Sequence, residues 1–228
     1  MTITPTALSR SAGVAAIAAG LTFIGIQIGH PDLDVTSVDT AEWTIRNTAK
    51  AVFAALALAG ITGMYLRHVR QMGVLGLLGY LLLSSGYLLI LGTALIAGYV
   101  LPSLADTDPA YVDAVLTTAA GGMPTNDIGT LHPALLVEGF AYLAGGLLFG
   151  IALFRARVLA RWAGALLAVS AVLSVALPLL SDSAYRLLAY PHAVALIGLG
   201  YSLWRSQPFF DDAGAPDASD AKHHPVDA

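Results

Sequence analysis

The chain has 228 residues, of which 57% are apolar and 11% are charged, whereas about a quarter of the residues of a soluble domain are usually charged. This composition indicates a protein whose main solvent is lipid. The sequence contains no cysteine, which excludes disulfides, thiolate catalysis and cysteine-ligated metals. The net charge of -4 arises in residues 206–228, which hold five Asp and one Lys. No basic patch with interleaved aromatic residues occurs, which excludes nucleic acid as a partner.

Six apolar stretches are long enough, or nearly so, to cross a bilayer as helices, which takes about 20 residues. They lie at about 12–29, 48–66, 74–101, 133–153, 162–180 and 187–204. They predict an all-α polytopic membrane protein with six transmembrane helices in one domain, residues 1–205, followed by a disordered acidic tail, residues 206–228. The third stretch is longer than a hydrocarbon core of about 30 Å, and we predict a kink at Ser84-Ser85-Gly86.

The distribution of Lys and Arg predicts the orientation of these spans. With the N-terminus in the cytoplasm, the basic residues divide eight to three in favour of the cytoplasmic side. We therefore predict cytoplasmic N- and C-termini in a multi-pass protein of the inner (plasma) membrane. The loop 102–132 contains no Lys or Arg, which is typical of a translocated loop.

The predicted loops contain three features of their own. In the outer loop, an Asp cap, a following proline and a closing glycine pair predict a short amphipathic helix over 108–120, lying on the membrane surface. Trp43 is predicted to anchor an interfacial turn, because tryptophan prefers the headgroup zone. His68 lies in a basic cytoplasmic turn, where we expect it to be solvated.

The stretch FGIALFRARVLARWAGALLAV, which begins at Phe149, ends one predicted span with R-x-R and opens the next with R-W-x-G. In these positions, and in the opening SRSAGVAAIAAGLTFIGIQIGHP, the chain resembles an uncharacterised family of small six-span bacterial integral membrane proteins, catalogued as a domain of unknown function. The resemblance covers nearly all of residues 8–205 and implies the six-helix fold. It implies no activity and no functional residues.

A carboxylate interrupts the fourth apolar stretch, where Glu138 lies within TLHPALLVEGFAYLAGG. On a helical wheel it shares a face with small residues and Tyr142, opposite Leu136 and Phe140. Small residues permit close approach of helices, whereas large aliphatic and Phe side chains suit lipid. We therefore predict that Glu138 faces protein, and an ionisable residue within a membrane span is a candidate functional site.

The predicted topology brings further polar residues to the same outer side. Candidate ligand-binding residues are Glu138, Lys50, Gln27 and His192. Candidate metal ligands are His30, His132 and His192. None of the histidines shows the i, i+3 or i+4 spacing of a helical metal motif, and interfacial histidines beside prolines give the same pattern. We expect no cofactor, with a metal ion at the outer face as the alternative. Glu138 is then either a structural carboxyl paired with Lys50 or an active group.

Three classes of function stay open. The leading hypothesis is a non-catalytic binder or sensor of a membrane-soluble ligand, or an accessory subunit of a membrane partner, because no nucleophile motif, phosphate loop or second intramembrane carboxylate occurs. The alternative is a membrane-embedded enzyme acting on a lipid or isoprenoid, with Glu138 and Tyr142 as catalytic acid or base. A small transporter is the third. Expected partners are the lipid bilayer, a lipid-soluble small molecule, and a membrane protein or a second copy of the chain.

Overall fold

The structure, a computed structural model, describes residues 4–29, 33–173 and 189–206. Every regular element in these ranges is a helix, which confirms the all-α prediction. In chain order the helices are α1 (Pro5–Gln27), α2 (Val35–Val38), α3 (Ala41–Tyr99), α4 (Leu101–Leu104), α5 (Pro109–Ala119), α6 (Leu131–Ala156), α7 (Arg161–Leu173) and α8 (Ala189–Trp204). Three of them, α1, α3 and α6, are long and apolar enough to cross a membrane, and α7 is a shorter apolar helix. The predicted tail lies outside the described residues from position 207 onward, as does the end of the fifth predicted span.

Helix α3 is a hairpin of two antiparallel arms. Its backbone leaves the helical conformation at His68 and at Gly73, where φ is 57° and ψ is -158°, a combination that is essentially restricted to glycine. The chain reverses there, so that Trp43 near the start of the helix donates from its indole Nε1 to the carbonyl oxygen of Ala97 near its end, at 2.7 Å. The arms, 41–67 and 74–99, correspond to the second and third predicted spans.

The kink predicted at Ser84-Ser85-Gly86 is wrong. Departures from helical dihedral angles within α3 occur at His68 and Gly73, and residues 84–86 continue the helix. Gly86 serves packing instead, because a Cβ atom at this position would lie 2.8 Å from the backbone nitrogen of Tyr142. Its small size lets α6 approach the second arm of α3, a common use of glycine in membrane helices.

Two side chains that the sequence analysis placed at the surface are buried. His68 is 7% exposed, with Nδ1 2.9 Å from the carbonyl oxygen of Met64. Burial lowers the pKa of His68 below its ordinary value, and the nearby charge of Arg67 lowers it further, while the bond to Met64 opposes the shift. Trp43 is 2% exposed, because it packs inside an apolar cluster with Val38 and other residues.

The long helices form a ring. Each arm or helix packs on its neighbour in the chain, and α8 closes the ring on α1. Glycines lie at the closest approaches: a Cβ atom on Gly13 of α1 would lie 2.7 Å from the carbonyl oxygen of Gly200 in α8, and one on Gly150 of α6 would lie 2.6 Å from the backbone nitrogen of Ala168 in α7. Small residues thus set the spacing around the ring, as is usual where lipid supplies no hydrophobic drive between helices.

The two faces of α6 have the environments that the helical wheel predicts. Ala141, Gly145 and Phe149 are buried, whereas Leu136 is 60% exposed and Phe140 65% exposed. The small-residue face packs on the second arm of α3 and on α7, and the large apolar side chains point away from the bundle. The wheel therefore assigned the protein-facing side of α6, which carries Glu138, correctly.

Helix α5 confirms the short helix predicted over 108–120. Asp108 caps it, because its Oδ1 accepts a hydrogen bond from the backbone nitrogen of Tyr111 at 3.1 Å, which satisfies one of the unpaired N–H groups of the first turn. Its buried face, with Val112 and Val115, packs against Trp43 in the same apolar cluster. Helix α5 therefore covers one end of the ring.

Positive and negative residues in the described ranges are distributed unequally between the two ends of the ring. One end, which we call the arginine end, holds the start of α1, the turn of α3, the α6–α7 turn and the end of α8. Arg67 in the turn of α3 donates to Ser9 Oγ of α1 at 3.2 Å, and Ala160 N donates to Ser202 Oγ of α8 at 3.0 Å. Its arginines are Arg10, Arg67, Arg70, Arg155, Arg157, Arg161 and Arg205. The other end, the acidic end, carries two basic residues, Arg46 and Lys50, and seven carboxylates: Asp34, Asp39, Glu42, Asp106, Asp108, Asp113 and Asp127.

Candidate functional site

Glu138 is held by a neighbouring helix. Its Oε2 accepts a hydrogen bond of 2.7 Å from the hydroxyl of Thr93, which lies on the second arm of α3. The side chain of Glu138 is half-buried, in line with the wheel that turned it toward protein. The bond matters because a carboxylate away from water is costly unless it is hydrogen-bonded.

Glu138 opens on a cleft of about 170 Å³ near the acidic end. Both arms of α3, α5 and α6 form its walls. The polar lining residues are Asn47, Lys50, Thr93 and Glu138, and the apolar ones include Ile90, Val115, Leu131 and Leu135. An engineered apolar cavity of about 150 Å³ accepts a benzene ring, so this cleft is large enough for a small ring or a polar headgroup.

Lys50 is the cation of this cleft. It lines the cleft together with Glu138, but no ion pair joins the two side chains, and Thr93 rather than Lys50 is the partner of the carboxylate. The ion pair found in the described part of the chain links Arg46 to Glu42, at 2.7 Å. Lys50 makes no hydrogen bond to any described residue. The described side chains of Lys50 and Glu138 therefore form no salt bridge, but their opposite charges lie close enough to interact.

The remaining candidate ligands that the structure describes do not line the cleft. Gln27 ends α1 and does not line it. His132 lies in the first turn of α6 and is half-buried, while His30 lies outside the described residues. His192 packs elsewhere in the bundle. Within the described ranges, no three His, Cys, Asp or Glu side chains stand close enough together to hold a metal ion.

His192, which the sequence analysis placed toward the outer side, lies inside the ring. It is 3% exposed, with Nε2 2.9 Å from the hydroxyl of Tyr87 and Nδ1 3.4 Å from Ser170 Oγ. Both ring nitrogens therefore face hydroxyl groups, one from the second arm of α3 and one from α7. One nitrogen donates and the other accepts in a neutral imidazole, and a hydroxyl can serve either role.

Aromatic rings surround this imidazole. The ring of Tyr142 lies 5.0 Å from that of His192, and the ring of Phe23 lies 6.0 Å away, edge to face. Phe23 in turn stacks on Phe53, with centroids 4.4 Å apart. We call this group, with Tyr87 and Ser170, the histidine cluster; α1, both arms of α3, α6, α7 and α8 each contribute a residue to it.

The histidine cluster adjoins the cleft through α6. Tyr142 follows Glu138 by four residues, one turn along the same helix face. The candidate pair Glu138 and Tyr142 is thus split between two environments, since Glu138 lines the cleft and Tyr142 packs against His192. Sequence reasoning missed Thr93, Tyr87 and Ser170, because a single hydroxyl in an apolar stretch carries no signal of its partner.

Comparison of the chain with protein families, with curated proteins and with solved structures finds no match. The resemblance to the uncharacterised six-span family therefore stays a prediction. The fold and the composition define an all-helical protein with three helices able to span a membrane.

Proposed function

We propose that the chain is a six-span protein of the plasma membrane with both termini in the cytoplasm. Two features support six spans rather than three. The arms of α3 are antiparallel and individually long enough to cross a bilayer, and α7 and α8 complete a ring with α1. The excess of positive residues at the arginine end, seven of the nine described Lys and Arg, supports the orientation, because positive residues are retained on the cytoplasmic side.

Cysteine labelling tests this topology, since the chain has no native thiol. We expect Asp113→Cys, exposed on α5, to react in intact cells with a maleimide that cannot cross the membrane. Ser206→Cys, at the end of α8, should react only after the cells are permeabilised. The reverse pattern would overturn the orientation, and labelling of both residues in intact cells would overturn the even number of spans.

We further propose that the protein binds a small membrane-soluble amphiphile in the cleft. The observation that carries this proposal is the position of Lys50, which lines an apolar-walled cleft without a hydrogen-bond partner among the described residues. The opposite charge of Glu138 stabilises Lys50 only in part, because a cation in such surroundings is unfavourable unless it is also hydrogen-bonded. A ligand that supplies an acceptor would relieve that cost.

The lining of the cleft defines the chemistry of the ligand. Lys50 offers donors, whereas the Glu138 carboxylate offers acceptor positions beyond the one that Thr93 occupies. A head that both accepts and donates, such as a hydroxyl group, satisfies the two charges together. Ile90 and Leu135 give the adjoining hydrocarbon an apolar wall. The ligand class is therefore a hydroxyl-bearing amphiphile with a small head.

Photolabelling with a diazirine derivative of octanol tests the binding site, because the probe carries both the hydroxyl and the hydrocarbon. We expect label on Ile90 or Leu135 in the purified protein, and competition by unlabelled octanol. Lys50→Met should weaken the labelling by about tenfold, because a hydrogen bond to a charged group contributes about 1.5–3 kcal/mol. Glu138→Gln keeps the shape but removes the charge, and should weaken it as well.

The matched control is Arg70→Met, which removes one positive charge from the same helix at an exposed position of the arginine end. Its labelling should equal that of the unaltered protein. Equal labelling of the cleft in Lys50→Met and Arg70→Met would refute a role for Lys50, and label confined to lipid-facing residues such as Phe140 would refute the cleft as the site.

A further inference from the structure

A second concave site lies at the arginine end, far from the cleft. It is a groove of about 530 Å³ between the start of α7 and the end of α8. Its lining residues include Trp162, Gly198, Tyr201, Ser202, Arg205 and Ser206. Gly198 shapes it, because the ring of Trp162 occupies the space that a side chain at 198 would fill. We call it the arginine groove.

The aromatic side chains around the arginine groove are highly exposed. Trp162 is 57% exposed, Tyr201 48% and Trp204 44%. In a membrane protein, Trp and Tyr concentrate at the level of the lipid headgroups, where an apolar ring meets polar surroundings. The position of these three side chains beside the arginines therefore places the arginine groove at headgroup depth.

Arg205 supplies the charge of the arginine groove. Its guanidinium carbon lies 5.6 Å from the centroid of the Tyr201 ring, and NH1 donates to the Tyr201 hydroxyl at 3.2 Å. Stacking of this kind fixes the guanidinium plane. One of its five N–H donors is engaged in this bond, and a guanidinium has no acceptor of its own. No described residue accepts a hydrogen bond from the others, and none of the described carboxylates pairs with Arg205.

The charges around the arginine groove select an anion. The described carboxylates other than Glu138 lie at the acidic end, while the neighbouring turn adds Arg155, Arg157 and Arg161. Arginine binds phosphate oxygens through paired N–H groups, and basic pockets between spans on the cytoplasmic side hold anionic lipid headgroups. We infer that the arginine groove binds the headgroup phosphate of an anionic phospholipid, with Arg205 as the ligand to phosphate and Trp162 against the glycerol and upper acyl chain.

Native mass spectrometry of the full-length protein in detergent tests this site, with phosphatidylglycerol and phosphatidylcholine of identical acyl chains as probes. We expect discrete phosphatidylglycerol adducts, with phosphatidylcholine bound about tenfold more weakly. Arg205→Gln should weaken phosphatidylglycerol binding by about tenfold, the scale of one lost hydrogen bond to a charged group. Arg205→Lys keeps the positive charge but loses the paired N–H groups of the guanidinium. Its affinity for phosphatidylglycerol should therefore lie between that of the unaltered protein and that of Arg205→Gln.

The control is Arg70→Gln, which removes an equal charge from an exposed position in the turn of α3, at the same end but outside the arginine groove. It should leave binding of phosphatidylglycerol unchanged. Equal loss in Arg70→Gln and Arg205→Gln would show attraction by net charge alone and overturn the site. Equal binding of the two lipids, or displacement of phosphatidylglycerol by millimolar inorganic phosphate, would overturn the assignment to a lipid headgroup. None of these outcomes depends on octanol labelling of the cleft, so the two proposals fail separately.

Discussion

Replacing Gly145 by alanine is expected to destabilise the protein severely. A Cβ atom at position 145 would collide with the backbone nitrogen and Cα of Leu83 on the second arm of α3. A backbone cannot rotate out of the way as the end of a flexible side chain can, so α6 and α3 must separate along their contact. Overpacking of this kind costs about 1–3 kcal/mol, and thermal unfolding of the purified protein in detergent should show a clearly lowered midpoint.

Gly139→Ala is the matched control for this change. Gly139 lies on the same helix, but a Cβ atom there meets nothing within 4 Å, so the midpoint should stay within experimental error of the unaltered protein. Two variants with identical chemistry then differ only in what faces the new methyl group. Equal midpoints for Gly145→Ala and Gly139→Ala would contradict the packing of α6 on α3.

The sequence predicts the faces of the helices better than their ends. The wheel for α6 separated Gly145 from Phe140 correctly because large and small residues alternate with the helical period. Boundaries taken from apolar runs fall short: α1 begins at Pro5 and α3 at Ala41, well before the apolar stretches. The first turns of α3 carry Glu42 and Arg46, paired at i, i+4, and hydropathy does not register a polar turn of helix.

Glycine illustrates why the path of the chain could not be derived in full. Gly73 and Gly86 both lie within α3, yet one marks the turn and the other a tight helix contact. Gly73 has φ of 57° and open space around it, while Gly86 is helical and faces the backbone of Tyr142. Sequence gives the same letter for both, and the difference appears only when the neighbouring helix is in place.

The candidate site was also predicted only in part. Lys50 and Glu138 were expected on one side of the bundle, and they do line one cleft. The sequence could not show that Glu138 is hydrogen-bonded by Thr93 and not by Lys50. That choice depends on how α3 is rotated about its axis, because the rotation brings Thr93 to face Glu138. His192 was assigned to the boundary from its position in the chain, but the ring closure of α8 on α1 carries it into the interior.

Replacing Tyr87 by phenylalanine is the second change for which we expect a large effect. Tyr87 is fully buried and its hydroxyl lies 2.9 Å from His192 Nε2. Phenylalanine preserves the ring contacts with Phe53 and Tyr142 but leaves the imidazole nitrogen without its partner. An unsatisfied buried polar group costs about 1–3 kcal/mol, so the midpoint of thermal unfolding should fall. Tyr99→Phe, at a residue that is 57% exposed, is the control and should change it little.

A double-mutant cycle separates the bond from the ring contacts. His192→Leu alone leaves the Tyr87 hydroxyl without its partner and also gives up the contact with Tyr142, so it should destabilise at least as much as Tyr87→Phe. When both changes are combined, neither polar group remains, and removing both partners of a hydrogen bond costs less than removing one. The double variant should therefore be more stable than the sum of the single effects by roughly 0.5–3 kcal/mol, the range for groups in direct contact. Strict additivity would mean that Tyr87 and His192 are not bonded, and the centre of the bundle would then have to be packed differently.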